Sequence, residues 1–473
     1  MSTTSWSMLF QGHRAAHTLL LMLGVGVPAT GVFIVSTVLP SVVGEIGGAA
    51  FYAWSSMLYT VASILGTASG GFVRATLDLR RGYMVGALVF VAGAVGCALA
   101  PHMLVLVGAR AIQGWGGGVL VSLSYGIARV LYPEDLRPRV LATMSGVWGV
   151  AALLGPMVGG VFAELGWWRG AFWMVVPVLM LVLYLVWHAL PSAAPQGQVP
   201  HLPLLRLVLL GVGMLCVAWS GHVTPLVLRL ALLGSAGVWV VLAFRCDAGA
   251  AHRLFPSQPL ALTTPVGTGF WMVFLFGLLA SQVSVFLPLV LQILHGVSPL
   301  GAGYFAVLRS LAWTAAALGS AGLEGWKVRF VTLLGPLVVT CGVVGQALVV
   351  VDGPLLLLGG CAVLSGVGQG LCFAHLNSWT IAAARPGEEE RTASWIPMAQ
   401  QLGNAFGAAA IGVVANAVGL AAGVSVSTVT AVATWVYGLS IVAPALIVLL
   451  TLRVLWSHQA VWPPLGARAL GTR

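Results

Sequence analysis

Two arginines stand inside long apolar stretches of this chain. Arg110 interrupts LVLVGARAIQGWGGGVLVSLSYGIARVL, and Arg309 sits near the middle of LGAGYFAVLRSLAWTAAALGSAGL. A charge held in hydrocarbon costs at least ~2.5 kcal/mol, so each must face a partner or a wet cavity, and such residues mark solute or ion pathways. An arginine that caps carbonyls or ties helices together is the structural alternative. Amides punctuate the same kind of stretch: Gln113, Gln282, Gln292, Gln369 and Asn377, with Gln400 and Asn404 one helical turn apart on a shared face. Tyr52, Trp54, Tyr59, Trp115, Trp148, Trp271, Trp379 and Trp395 add ring surface. A cavity lined by rings and amides suits a flat polar aromatic solute. About half of these rings are expected in interfacial belts or in packing instead.

The acids are placed differently. Glu45, Glu164, Glu324 and Asp352 fall at expected helix ends, and Glu388–Glu390 fall in a connector. Embedded positive charge without an embedded carboxylate favours an anionic or neutral polar solute over a cation. His375 either titrates near neutral pH or is a structural histidine bonded to a backbone carbonyl.

Enzymatic and nucleic-acid chemistry find little support. There is no G-x-x-x-x-G-K-[ST] loop to cradle ATP, no nucleophile triad and no metal-ligand spacing. Cys97, Cys216, Cys246, Cys341, Cys361 and Cys372 form no C-x-x-C pair and read as small apolar residues. No cofactor is expected. The net charge of +10 is spread singly or in pairs through short connectors, with no basic stripe for nucleic acid.

The elements that must hold these groups are membrane helices. The chain is 59% hydrophobic and 7% charged, whereas water-soluble domains carry roughly 25% charged residues. Its solvent must be mostly lipid. At roughly 20 apolar residues per crossing, spans are expected near 17–40, 49–72, 82–100, 103–131, 139–163 and 170–190. A shorter pair follows near 203–220 and 224–245, then six more near 264–294, 300–323, 330–350, 353–384, 392–418 and 429–453. The first run is too long for a cleaved signal and reads as the first crossing. With the N-terminus cytoplasmic, Arg14, Arg74, Arg80, Arg81, Arg137, Arg139, Arg245, Arg253, Lys327, Arg329, Arg385, Arg391, Arg453, Arg468 and Arg473 all fall inside. Arg169 and Arg229 fall outside. Losing one helix would invert every later loop, so this bias supports fourteen crossings with both ends cytoplasmic. The expected units are an N-terminal six-helix bundle over 1–190, a proline-rich linker with two extra helices over 191–263, and a C-terminal six-helix bundle with its tail over 264–473. Two such halves fit a transporter that rocks around a midplane site.

Three motifs then carry a resemblance. The fifth span, GVWGVAALLGPMVGG, sets Gly146, Gly149, Gly155, Gly159 and Gly160 along a smooth flank bent at Pro156. It is similar to the signature of major facilitator antiporters. The run of Arg110, Gln113, Gly114 and Gly116 resembles that family's fourth-helix signature. GGFVRATLDLRRGYMVG resembles the superfamily's cytoplasmic latch: Gly71, Arg80 and Arg81 match, Ala75 replaces its aspartate and Asp78 its glycine. Nearly the whole chain, extra pair included, resembles the fourteen-helix drug:proton antiporter family.

The resemblance implies an all-α integral membrane protein of the major facilitator fold. It implies alternating access, a small-molecule substrate, protons as coupling ion, a monomer, and a place in a bacterial cytoplasmic membrane. It also associates Arg110 with proton coupling and substrate response. Gly31 stands where that family keeps a first-helix acid. Two activities are therefore expected: proton-linked efflux of drug- or metabolite-like compounds, or uptake of a neutral or anionic aromatic metabolite such as a flavin-type vitamin.

Overall fold

Hydrocarbon offers the backbone no hydrogen bonds, so a chain of this composition must satisfy its own amides within helices. The computed structural model describes residues 6–133, 136–190, 203–223, 225–250, 253 and 255–457, and these form sixteen α-helices, three short 3₁₀ turns and no strand. The first six are α1 (His13–Ile46), α2 (Trp54–Ala98), α3 (Met103–Leu131), α4 (Arg137–Glu164), α5 (Trp168–Trp173) and α6 (Val175–Ala189). A pair follows, α7 (Leu204–Ser220) and α8 (Leu226–Ala248). The remainder are α9 (Pro265–Val285), α10 (Leu287–Ile293), α11 (Pro299–Ser320), α12 (Trp326–Val349), α13 (Leu355–Ala382), α14 (Glu389–Ala417), α15 (Val426–Ser440) and α16 (Val442–Ser457). Nine stretches of the described residues are long and apolar enough to cross a bilayer, with two shorter apolar helices beside them. The expected linker over 191–202, the tail over 458–473 and the side chain of Gln282 lie outside the described residues.

Three expected single spans are broken. α5 gives way to α6 at Met174, α9 to α10 at Phe286, and α15 to α16 at Ile441. Pro177, Pro288 and Pro444 lie just beyond these breaks. Each removes the amide that would bond the carbonyl four residues back, at Trp173, Ser284 and Ser440 respectively.

α2 differs from expectation in the other direction. Its 45 residues would make a rod of about 68 Å at 1.5 Å per residue, over twice a ~30 Å hydrocarbon core. It is a hairpin instead. On its first arm, the carbonyls of Tyr59 and Ser63 lie against Gly114 and Gly118 of α3, and Gly70 lies against Ser122, so the two registers climb together. On its second arm, Gly86 meets Val119, Gly93 meets Gln113 and Gly96 meets Ala109, so the register runs in reverse. The chain therefore turns back at Asp78, where φ is 69° and ψ 173°.

Such dihedrals belong almost only to glycine. Asp78 tolerates them because its Oδ1 accepts the Arg81 amide at 2.8 Å and caps the returning arm, with the Arg81 guanidinium 3.9 Å from Oδ2. Arg80 leaves the turn to lie 4.0 Å over the Trp187 ring of α6, and Gly71 is exposed. The expected latch residues thus make these contacts within the first six helices in this conformer. Asp78→Gly relieves the strain but loses the cap, and should stay within about 1 kcal/mol of the parent. Asp78→Ala keeps the strain and loses the cap, and should cost about 2 kcal/mol. Thermal unfolding in detergent compares them, and equal melting of the two variants would contradict this account.

α1–α6 pack among themselves, as do α9–α16, and the α7–α8 pair lies against α2 and α14. The contacts joining the first and last groups gather at one end. There Gly160 of α4 abuts Leu300, Gly303 of α11 abuts Pro156, and Gly412 of α14 abuts Ala53. The Gln292 amide reaches the Thr37 carbonyl at 3.4 Å, and the Asn416 amide donates to the Ala50 carbonyl at 2.9 Å. Tyr52 stacks on Phe286 with ring centroids 5.2 Å apart. Residues 146, 149, 153, 156 and 160 share one face of α4. That face is tight at 156 and 160, but at Gly146 and Gly149 a Cβ would meet open space, and Leu153 is exposed. The α4–α11 seam is shut at one end and parted toward the other.

Candidate functional site

Arg110 lies seven residues into α3 and is 1% exposed. Its Nη1 donates to Gln113 Oε1 at 2.5 Å, one turn on along the same face. The guanidinium lies 3.9 Å over the ring of Tyr59, whose hydroxyl donates to the Pro28 carbonyl of α1 at 3.1 Å. Arg110 Nε has no hydrogen-bond partner. The expected wet cavity does not reach Arg110 in this conformer; ring and amide enclose it instead.

Arg309 of α11 is the counterpart. It is 7% exposed, and its Nη2 donates to Oε1 of Gln369, a fully buried residue of α13. The Gln369 Nε2 has no partner. Each glutamine is followed by a glycine in the same packing relation. A Cβ on Gly114 would lie 2.3 Å from the Tyr59 carbonyl, and one on Gly370 would lie 2.3 Å from the Trp313 carbonyl. Helices α2 and α3 are thus repeated by α11 and α13, with a guanidinium set on the glutamine carbonyl both times. In the first copy the arginine comes from the glutamine's own helix, and in the second from the facing one. The Gln-Gly dipeptide in the fourth and twelfth spans was the available sequence signal for this repeat.

The described carboxylates lie away from both clusters. Glu45 pairs with Arg169 and accepts from Trp168 Nε1 at 2.6 Å. Asp247 pairs with Arg206 and accepts the Phe255 amide at 3.0 Å. Glu388 accepts the Ser257 hydroxyl and amide at 2.6 and 3.0 Å. Burial acts to raise the Glu388 carboxyl, but these bonds and the charges of Arg391 and Arg385 hold it below the usual carboxylate range. Glu164 meets the Leu300 amide at 3.4 Å. The sequence placed Glu45, Glu164 and Glu388 at helix ends or in a connector, but not the partners of Asp247.

Other expected site residues are dispersed. On α14, the Gln400 carbonyl lies against Gly277 of α9, and the Asn404 carbonyl accepts the Ser281 hydroxyl at 2.6 Å. Asn404 Oδ1 and Asn377 Oδ1 have no partner. His375 Nε2 lies 3.1 Å from the Ser320 carbonyl. Trp148 is 41% exposed on α4. Gln292 and Trp54 sit at the shut end: Gln292 bonds across the two groups, and Trp54 packs edge-on to Trp219 and His222. A separate cavity of about 340 Å³ lies at the α8–α9 connector, lined by Phe244, Asp247, Arg253, Phe255, Ser257 and Gln258 among others. It shares no lining residue with either arginine cluster.

Comparison with known proteins follows the same lines. Residues 21–408 match the family model described as Major Facilitator Superfamily. A probable multidrug-efflux transporter of Mycobacterium tuberculosis is 32% identical over 432 residues, 88% of this chain and 90% of that protein. A dehydrocurvularin exporter of Aspergillus terreus is 27% identical over 367 residues, covering 72% of this chain and 62% of its own length. Among solved structures, a POT family transporter in complex with 5-aminolevulinic acid superposes with a TM-score of 0.65 at 14% identity, covering 93% of this chain and 96% of that one. The xylose transporter XylE of E. coli, in a partially occluded inward open conformation, gives 0.59 at 15% identity, covering 94% and 97%.

Proposed function

The chain belongs to the major facilitator superfamily, and from that premise we propose that it exports small organic compounds across a bacterial cytoplasmic membrane by alternating access. The observation that carries this reading is the α4–α11 seam, shut at one end and parted toward the other. A rocking pair of bundles needs a seam that can close at either end but not both. The exporter relatives support the direction.

The crossings are counted as fourteen. Joining α5 with α6, α9 with α10, and α15 with α16 reduces sixteen helices to thirteen, and the folded α2 restores one. Residues 1–190 and 264–473 act as the rocking bundles, with 191–263 supplying the linker and extra pair. Basic residues crowd the connectors at the parted end, so by the positive-inside bias that end faces the cytoplasm and both termini are cytoplasmic. The shut end then faces outward. The protein works as a monomer, and a proton gradient is the proposed energy source.

Substrate passes the ring and amide surface between the bundles, with Arg110–Gln113 and Arg309–Gln369 as its polar anchors. The test is flux in proteoliposomes carrying the purified chain, with a panel of labelled drug-like and metabolite-like compounds, with and without a pH gradient. Accelerated exchange of at least one compound, enhanced by the gradient, is expected. No exchange of any panel member would sink the transport reading, and exchange indifferent to pH would sink the proton link. Uptake of a flavin-type vitamin is the rival outcome, and the exporter relatives do not favour it.

A further inference from the structure

The turn that follows α7 occupies an unusual position. It touches both bundles at the shut end. Gly221 lies against Val413 of α14, where a Cβ would be 3.0 Å from the Val413 Cα. One residue on, the His222 ring stacks on Phe51 at 4.6 Å, meets Trp54 edge-on at 5.4 Å and stacks on Trp219 at 5.8 Å. Phe51 and Trp54 belong to the first bundle, and Trp219 to the extra pair. Both ring nitrogens of His222 are buried without a hydrogen bond of good geometry, although the Ala218 and Ala50 carbonyls face them. The Ala50 carbonyl is the group held by Asn416 of the last bundle at 2.9 Å. Three parts of the molecule therefore meet at this turn.

The other end of the pair is fastened differently. Phe244 and Phe255 pack on Trp395 of α14, and Ser257 bonds Glu388 beside it. These contacts tie the pair to the last bundle only. When the shut end opens, the pair can stay with α14, and what must then part is its contact with the first bundle: His222 on Phe51 and Trp54, Trp219 edge-on to Trp54, and Gly211 beside Val61.

We propose that this turn is a pin holding the shut end closed, and that acid on that side withdraws it by protonating His222. The proposal rests on the reading that the shut end opens outward during transport. Charging the ring inside this box takes a cation out of water, which rings alone repay only in part. Burial pushes the His222 imidazole below its usual value, with the two carbonyls acting the other way. Once the end opens, the ring is hydrated and returns toward about 6.5. The closed state therefore holds the neutral ring and the open state takes the proton. The pin is at full strength above about pH 6.5 and weakens as pH falls through the lower closed-state value.

Neighbouring charge points the same way. Residues 49–54, which supply Phe51 and Trp54, and residues 411–417 of α14, which meet Gly221 and the Ala50 carbonyl, include no acid and no base; their only ionisable group is the phenol of Tyr52. Cys216 lies six residues back on α7, and at the start of α8 the Arg229 guanidinium donates to the Val223 carbonyl at 3.0 Å. That cation, beside His222 along the chain, opposes protonation in the closed state.

Pulsed electron paramagnetic resonance in nanodiscs tests this. Nitroxides go on Leu99→Cys and Ser427→Cys, at the shut end on opposite bundles, in a chain with its six native cysteines replaced. As pH falls from 8 to 5, the short-distance population of the parent should drop several-fold. His222→Phe, which keeps the ring packing but cannot protonate, should stay short throughout. His222→Ala should lose the short population at both pH values, and Arg229→Gln should move the transition to higher pH. A His222→Phe chain that follows the parent's pH curve, or a parent that does not respond, would overturn the proposal. Nanodiscs expose both faces to one buffer, so this result does not depend on orientation. Acidifying one side of proteoliposomes then separates the two readings: a response only to acid on the cytoplasmic side would refute the orientation and leave the pin standing.

Discussion

Valine at position 160 is expected to cut transport about tenfold or more and to leave the shut end unable to close. A Cβ there would lie 2.4 Å from the Leu300 Cα and 2.9 Å from its Cβ. The obstacle is backbone, which cannot swing aside as a long side chain would. Overpacking of this kind costs ~1–3 kcal/mol, and each ~1.4 kcal/mol is a factor of about ten in the balance of two states. The cost falls on the closed state alone, because parting α4 from α11 removes the clash. Thr37→Cys, 1% exposed at the same end, should become reactive toward a membrane-impermeant maleimide. Gly146→Val lies on the same face of α4 with open space before it, and should leave that thiol protected. A protected thiol in the Gly160→Val chain would refute the assignment of the seam.

Arg110→Met separates function from stability. Methionine nearly matches the arginine stem and removes a charge that costs ~2.5–3.5 kcal/mol inside a membrane helix. Against that relief stand the lost charged hydrogen bond to Gln113, worth about 1.5–3 kcal/mol, and the cation over Tyr59, worth about 0.5–2 kcal/mol. The two sides nearly cancel, so the melting temperature should be unchanged or slightly raised. Transport should fall by about tenfold or more, through loss of at least ~1.4 kcal/mol from a polar anchor. Lysine is expected to recover little, since a compact ammonium cannot stack on the ring as a planar guanidinium does. Normal flux in the methionine chain would remove Arg110 from the site. A large loss of stability would make it a structural tie.

Some of this was legible from residue types alone. A chain with 7% charge cannot cover a water-facing surface, so the all-helical membrane architecture follows directly. The proline breaks at 174, 286 and 441 were readable in principle, because a missing amide always frees the carbonyl four residues earlier. The Arg110–Gln113 bond spans three residues of one helix and needs no tertiary knowledge. The Arg309–Gln369 bond joins residues sixty apart, and only the packing of α11 on α13 brings them together.

The glycine run of the fifth span shows the limit most clearly. It reads as one smooth flank, but a helix turns about 100° per residue, and the run divides. Gly155 and Gly159 receive Phe33, Thr30 and Ile34 of α1, whereas Pro156 and Gly160 meet α11. Trp54 and Gln292 are cavity candidates in the sequence and lie at the shut end in the fold, because a ring or amide facing a solute and one joining two groups of helices look alike in sequence. His222 carried no signal at all. It is a histidine in a short connector until Phe51, Trp54 and Trp219 are brought around it by the packing of α7 on the first helices.

The hairpin at Asp78 bears on how the protein is made. Its two arms are separated by a single non-helical residue, too short a stretch to wait in water while one arm enters the bilayer and the other follows. The arms must leave the translocation machinery and enter the bilayer as one unit, already folded back to back. The basic residues Arg74, Arg80 and Arg81 at the bend would hold that unit on the side where it was synthesised. An error of topology in this region would therefore misplace two crossings at once, leaving the orientation of every later helix unchanged.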